Sequence, residues 1–294
     1  MNSKYNGKFI PYLLLLPSIL ISFIFLYYPA VQSFILSLYK TAFLGIKKIY
    51  VGPENFLELL SSRVYLDSIL MSIIFAGSVV LIGISVSMFI AILLNRDIPG
   101  TQIYRLGFIW PYALSPAVAG VILLFMFNPT AGIVNYITET LWGISPDWVS
   151  NSKLALVMVI GAAIWKNLGY NIVFYLASLQ NIPDGVMEAA AVDGANNVQR
   201  FFYITFSFLK PTTLFLVITN LIYSFFDTFG IIETLTKGGP VNATNIMIYN
   251  LYTDAFKNFK SGVAAAQSII LFFLVMIFTI VQFKWSDKKI HYGG

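Results

Sequence analysis

Two charged side chains stand where an apolar environment does not ordinarily hold them. Lys166 interrupts the stretch from Leu154 to about Gln180, and Asp227 lies near the end of Pro211–Phe229. A charge at the centre of a bilayer costs about 2.5–3.5 kcal/mol on insertion scales, so it should face a cavity or a partner. Asn167 adjoins Lys166, and Lys166, Tyr170 and Asn171 share a broad helical face by their i, i+4, i+5 spacing. Asn220, Tyr223 and Asp227 recur at i, i+3, i+7, one stripe of a second helix. An amine and amides near mid-membrane, with phenols beside them, suit an anionic, hydroxylated ligand. A blander reading is open at the same positions: Lys166 pairs with a carbonyl or carboxylate, and Asp227 bonds loop backbone.

Other chemistries lack their residues. There is no cysteine, and the one histidine, His291, is fourth from the end. Thiolate sites and a His-based metal or acid–base centre are therefore not expected, and no catalytic residue is assigned. No G-x-x-x-x-G-K-[ST] phosphate loop occurs, so ATP is not bound in that mode.

The elements that must position these residues follow from composition. Of 294 residues, 58% are apolar, 16% aromatic and only 11% charged, against about 25% charged in a soluble domain. Mean hydropathy is +0.78. So little charge cannot cover a globular surface, and the chain is an integral membrane protein. Disorder would need more charge and fewer aromatics. A membrane barrel would show roughly ten-residue alternating segments. The net charge of +5 and pI near 9.2 come from basic residues scattered singly or in pairs, which favours membrane flanks over nucleic acid.

A span needs about 20 apolar residues. The sequence predicts an all-α polytopic protein, one membrane domain over residues 1–294. Its six spans lie at about 9–39, 68–95, 106–127, 154–180, 211–229 and 261–283. Pro11, Pro17 and Pro29 interrupt the first span, and Pro111 and Pro116 the third. The first is too long for a secretory signal core and is read as a retained helix. Six spans put both termini on one side. Nine basic residues there against eight opposite hardly decide the side, but Lys284, Arg105 and Lys210 sit closer to span ends, which leans towards cytoplasmic termini.

The connection 181–210 is the long one on that face. Pro183-Asp184 predicts a helix start capped by Asp184. Ala189, Ala190 and Ala191 favour helix, Gly194 stops it, and a second helical stretch begins near Asn197. The short helix would be small-faced and polar-ended, either a mere connector or a piece fitted to another protein's groove.

Here the residues resemble a known family. Glu188-Ala189-Ala190, three residues, Gly194, nine residues and Ile204 are similar to the EAA signature of permease subunits of bacterial ABC importers. Where that pattern continues Leu-Pro, this chain has Phe206-Ser207. Pro11-Tyr12, Pro17, Tyr28-Pro29, Val51–Phe56, Phe127-Asn128-Pro129 with Gly132, and Trp165-Lys166 resemble its carbohydrate-uptake branch. Asn220–Phe229, Gly238-Gly239-Pro240 and Ala264–Ser268 are most similar to the A-type permeases of glycerol-3-phosphate uptake.

The resemblance implies a multi-pass protein of the bacterial cytoplasmic membrane that forms half of a translocation pathway. Its implied cargo is sn-glycerol 3-phosphate or a related glycerophosphodiester, with another sugar or oligosaccharide as the alternative. It implies that Glu188, Ala189, Ala190, Asp193 and Gly194 couple to an ATPase. Its implied partners are a second permease, two copies of a cytoplasmic ATPase that binds the ATP, and an extracytoplasmic substrate-binding protein. No cofactor is implied for this chain. A stand-alone secondary transporter is the competing class, but no inverted repeat or midplane ion-coupling carboxylate supports it. A membrane-embedded enzyme would need an acid–base or nucleophile cluster that is not visible.

Overall fold

A computed structural model describes residues 10–42, 47–96 and 99–287. Lys4, Lys8, Lys288, Lys289, His291 and the expected first residue of span one lie outside them. In chain order the elements are α1 (Pro11–Ser37), a hairpin of β1 (Tyr39–Ala42) and β2 (Lys47–Tyr50), α2 (Glu54–Ser61), α3 (Arg63–Leu94), α4 (Thr101–Ala113), α5 (Pro116–Met126), α6 (Ile133–Trp142), α7 (Ser152–Gln180), α8 (Asp184–Val192), α9 (Asn197–Asp227), α10 (Phe229–Leu235), α11 (Met247–Tyr252) and α12 (Ser261–Asp287). Among the described residues five helices, α1, α3, α7, α9 and α12, are long and apolar enough to cross a bilayer. The α4–α5 pair passes the same test only when its two halves are taken together across a 110° bend, so the crossings number six when the pair counts as one span. Many large side chains face outward, Leu81, Phe89 and Phe125 among them. Lipid is the environment that such an exterior requires.

The proline-bearing spans take different courses. In α1 a wide turn over Phe23–Tyr27, closed by the Tyr28 N–H donating to the Phe23 carbonyl, directly precedes Pro29. The widened turn absorbs the donor that Pro29 lacks. The expected third span, 106–127, is not one straight helix. Leu114 and Ser115 are extended, with ψ of 145° and 150°, as a residue before proline prefers. Pro116 then opens α5, and the Ser115 hydroxyl accepts from the Val118 N–H at 3.3 Å. The helix that carries the fifth span, α9, runs unbroken from Asn197 with Pro211 inside it.

The chain forms two compact units. The first combines the segment up to Arg63 with Leu251–Phe272. In it β1 pairs antiparallel with β2, Tyr39 opposite Tyr50, a hairpin that the sequence reading had placed partly in span one. Lys40 Nζ lies 2.8 Å from Glu54 and 3.1 Å from Glu58. Those hydrogen bonds, Glu54's first, hold the ammonium above the ordinary lysine pKa.

The second unit, Val64–Asn250 with the chain from Phe273 onward, has two apolar clusters. One gathers Phe75, Val79, Met158, Val159, Ala162, Ala163, Ile231 and Ile232. The other gathers Ile84, Ala91, Leu168, Ile172, Tyr175, Leu209 and Leu216. On α7 the first cluster ends at Ala163 and the second begins at Leu168. Lys166 and Asn167 fall between them.

At Gly169 α7 packs directly against the backbone of another helix. A Cβ there would stand 2.8 Å from both the Cα and the carbonyl oxygen of Ile109 in α4. Backbone cannot yield as a side-chain tip can, so Gly169→Ala should cost about 1–3 kcal/mol by overpacking. The measurement is the midpoint of thermal unfolding of the purified chain, expected to fall for Gly169→Ala. Gly161→Ala, where a Cβ would meet no atom within 4 Å, should leave it unchanged.

Candidate functional site

A cavity of about 500 Å³ opens within the second unit, lined by Tyr112, Pro116, Lys166, Asn167, Tyr170, Thr219, Tyr223 and Asp227. Lys166 lies fourteen residues from either end of α7, about 21 Å at 1.5 Å per residue, and so at mid-membrane. Its ammonium sits 5.2 Å from the Tyr112 ring centroid and 5.9 Å from that of Tyr223. The negative faces of these rings attract a cation, and the attraction grows as water is excluded. Among the described residues no carboxylate stands within 4.0 Å of Lys166. The Tyr223 hydroxyl donates to the Ala163 carbonyl at 3.2 Å, which fixes its ring against α7.

The bend between α4 and α5 builds one wall. Tyr112 lies in the tight turn that closes α4 and Pro116 begins α5. Tyr112 packs on Tyr170 at 5.5 Å, and Trp110 meets Trp165 edge-on at 6.0 Å. A straight third helix could not bring Tyr112 back over Lys166.

Four of the sequence candidates, Lys166, Tyr170, Tyr223 and Asp227, share this cavity. Asn171 and Asn220 are not among its walls. Both are 1% exposed and bonded to each other: Asn220 Nδ2 donates to Asn171 Oδ1 at 2.7 Å, and Asn171 Nδ2 returns the bond at 3.2 Å. Asn167 Nδ2 donates to the same Asn220 oxygen at 2.8 Å, and Asn220 Nδ2 also reaches the Leu216 carbonyl. These amides tie α7 to α9. The cavity stripe on α9 is Thr219, Tyr223 and Asp227 at i, i+4, i+8, with Asn220 turned to α7. Thr219, Tyr112 and Pro116 escaped the sequence reading. The i+4 spacing from Tyr223 could have found Thr219; Tyr112 had no local signal.

Asp227, near the end of its span, is a cavity residue. It closes the wide turn Tyr223–Asp227 at the end of α9, so its carboxylate shares a compartment with the Lys166 ammonium. One cation, one anion, three phenols, a hydroxyl and an amide around 500 Å³ can hold a small polyhydroxylated ligand, with an anionic group at Lys166.

The connection between α7 and α9 is a second feature. Pro183, not Asp184, occupies the N-cap, and Asp184 is the first helical residue with no side-chain cap. Proline fixes φ before the helix, and Asp184 then places its charge at the positive end of α8 without needing to cap. Glu188, Ala189 and Ala190 lie within α8, and Asp193 is its C-cap. Gly194 has φ +80°. Its N–H donates to Ala191 at 3.1 Å and that of Ala195 to Ala190 at 2.9 Å, a Schellman ending that needs a left-handed residue. Asn196 and Gln199 then exchange side-chain and backbone bonds of 2.8 and 2.9 Å to start α9. No residue of α8 is buried, and Val192 is 88% exposed.

Residues 60–292 match the family model described as binding-protein-dependent transport system inner membrane component. The sn-glycerol-3-phosphate transport system permease protein UgpA of Rhizobium meliloti (strain 1021) is 41% identical over 98% of both chains. The protein of the same name from Salmonella typhimurium (strain LT2) is 39% identical over 98% of this chain and 97% of its own. A chain of the bacterial ABC transporter involved in the import of the acidic polysaccharide alginate shares the fold. Its TM-score is 0.84 at 20% identity, covering 96% of each chain.

The asparagine lattice makes a direct prediction. Asn220→Leu leaves the amides of Asn167 and Asn171 without a shared partner, at about 1–3 kcal/mol for unsatisfied buried groups. Unfolding midpoints should fall for Asn220→Leu and partly recover in Asn171→Leu/Asn220→Leu, a coupling that a double-mutant cycle measures.

Proposed function

The chain belongs to the family of binding-protein-dependent transport system inner membrane components, and from that premise we propose that it carries sn-glycerol 3-phosphate or a related glycerophosphodiester across the membrane as one permease subunit of an ATP-driven importer. The observation that carries this reading is the mid-membrane cavity in which the Lys166 ammonium lies between two tyrosine faces with no carboxylate bonded to it. A phosphate monoester supplies the missing anion. Its glycerol hydroxyls match Thr219, Asn167 and the phenols. The relatives named for sn-glycerol-3-phosphate transport, alike over 98% of this chain, support the same cargo.

In this reading Lys166 binds the anionic group and the Tyr223 ring holds its ammonium in place, while Tyr170 and Asp227 shape and polarise the remaining wall. Asn171 and Asn220 hold α7 and α9 in register behind it. A second permease subunit supplies the other half of the pathway. A substrate-binding protein delivers cargo from outside, as the alginate-transport structure with a ligand-bound periplasmic protein suggests for its own system. Two copies of a separate ATPase bind ATP. The helix α8 is the docking element, with Glu188, Ala189, Ala190, Asp193 and Gly194 at the contact, which places α8 and both termini in the cytoplasm. Its exposed small residues, its Schellman ending and the capping box that starts α9 directly after it fit it to transmit a push to α7 and α9.

Two substitutions test the two halves of this reading. Lys166→Met should lower uptake of labelled glycerol 3-phosphate by tenfold or more, the loss of about 1.4 kcal/mol or more of anion binding, and Lys166→Arg should retain part of it. Undiminished uptake by Lys166→Met would remove the anion-binding role. Ala189→Arg, on the exposed face of α8, should abolish uptake and substrate-stimulated ATP hydrolysis at unchanged membrane content. Normal uptake by that variant would remove the docking role.

A further inference from the structure

A second cavity, of about 610 Å³, lies at the α8 end of the second unit, lined by Asn95, Arg96, Gly100, Thr101, Gln102, Ile103, Arg105 and Gln180. Three helices meet there. Arg96 follows the end of α3, Thr101 begins α4, and Gln180 is the last residue of α7, four positions before α8. The described lining residues include two arginines and no carboxylate.

The arginines are placed differently. Arg105 Nη2 donates to the Leu94 carbonyl at 3.1 Å, which binds the foot of α4 to α3. Its Nε is buried with no hydrogen-bond partner, a donor that costs free energy until an acceptor arrives. Arg96 is exposed at the rim. The first turns of α4 expose apolar side chains beside this basic cup: Ile103 is 75% and Leu106 68% exposed, with Tyr104 between them. The cup holds guanidinium and amide donors, and from Ile103 on its wall an apolar strip continues along a helix that enters the membrane. A free phosphate would use the first feature and leave the second unexplained.

We infer that this cavity is a binding site for the headgroup of an anionic phospholipid, with its phosphodiester between Arg96 and Arg105 and its acyl chains along Ile103 and Leu106. Guanidinium groups bind phosphate oxygens in paired hydrogen bonds. Basic pockets between spanning helices take such headgroups, at about 1 kcal/mol per basic residue near the surface. The lipid would brace α3, α4 and α7 together at the point from which α8 departs. The site is separate from the mid-membrane cavity, so it stands or falls independently of the transported substrate.

The test uses the purified full chain in detergent, with cardiolipin, phosphatidylcholine or inorganic phosphate added. Cardiolipin should raise the unfolding midpoint and persist as an adduct in native mass spectrometry, and phosphatidylcholine and phosphate should do neither. Arg96→Gln, at an exposed position that spares the Arg105–Leu94 bond, should weaken cardiolipin binding about fivefold. Arg96→Gln/Arg105→Gln should abolish it. Lys153→Gln, at the far end of α7, should leave it unchanged. No cardiolipin effect, an effect reproduced by phosphate, one undiminished in Arg96→Gln, or one equally reduced in Lys153→Gln would each overturn the assignment.

Discussion

Three asparagine side chains hold the middle of the second unit together. Asn220 bonds Asn167 and Asn171 at once, across the α7–α9 boundary, in a layer with an apolar cluster on either side. Inside a membrane a polar group that loses its partner finds no water to replace it. The amides therefore fix the rotation of both helices about their axes and their register along them. With α7 and α9 so locked, Lys166 and Tyr170 from one helix and Thr219, Tyr223 and Asp227 from the other are held on a common cavity. Apolar packing alone would tolerate small rotations of either helix; this lattice does not.

The third wall depends on a different constraint. Pro116 forces Ser115 out of the helical region, and the resulting 110° bend turns Tyr112 towards Lys166. Gly169 then lets α7 approach the backbone of α4 closely enough for the Tyr112 ring to stand beside the ammonium. The charge is thus held by ring faces and not neutralised by a bonded carboxylate. It stays available to an incoming anion. Such a site suits a permease, which must bind its cargo firmly enough to accept it and loosely enough to release it.

The membrane class and the helical spans were legible because they rest on composition and on runs of apolar residues about 20 long, which a single sequence displays directly. The α8 connection was legible for a similar reason: the alanines and Gly194 are local signals, and the structure gives them a Schellman ending, with a capping box of Asn196 and Gln199 where the second helix was expected to begin. What escaped was set by tertiary contact. Asn220 and Thr219 are neighbours in sequence, and only the rotation of α9 decides that the first bonds α7 while the second lines the cavity. Pro111 and Pro116 showed that the third span was interrupted, but the angle of the break, and Tyr112's place over Lys166, depend on packing against α7. Asp227 ends its span, where spacing alone does not fix the direction it faces. The bend in α4–α5 and the wide turn at Tyr223–Asp227 leave it on the cavity wall.

The permease thus carries polar chemistry in two places, at mid-membrane and at the end from which α8 projects, joined by α7 and α9 as continuous helices. The decisive question is whether the mid-membrane cavity is the path that cargo takes. The chain holds no cysteine, so Thr219→Cys sets a single thiol of this subunit on the cavity wall. In the assembled importer a small water-soluble thiol reagent is expected to label that cysteine, and glycerol 3-phosphate to slow the labelling. A thiol that stays unreactive with and without ATP, or that reacts at one rate whether or not substrate is present, would contradict a translocation pathway through this cavity.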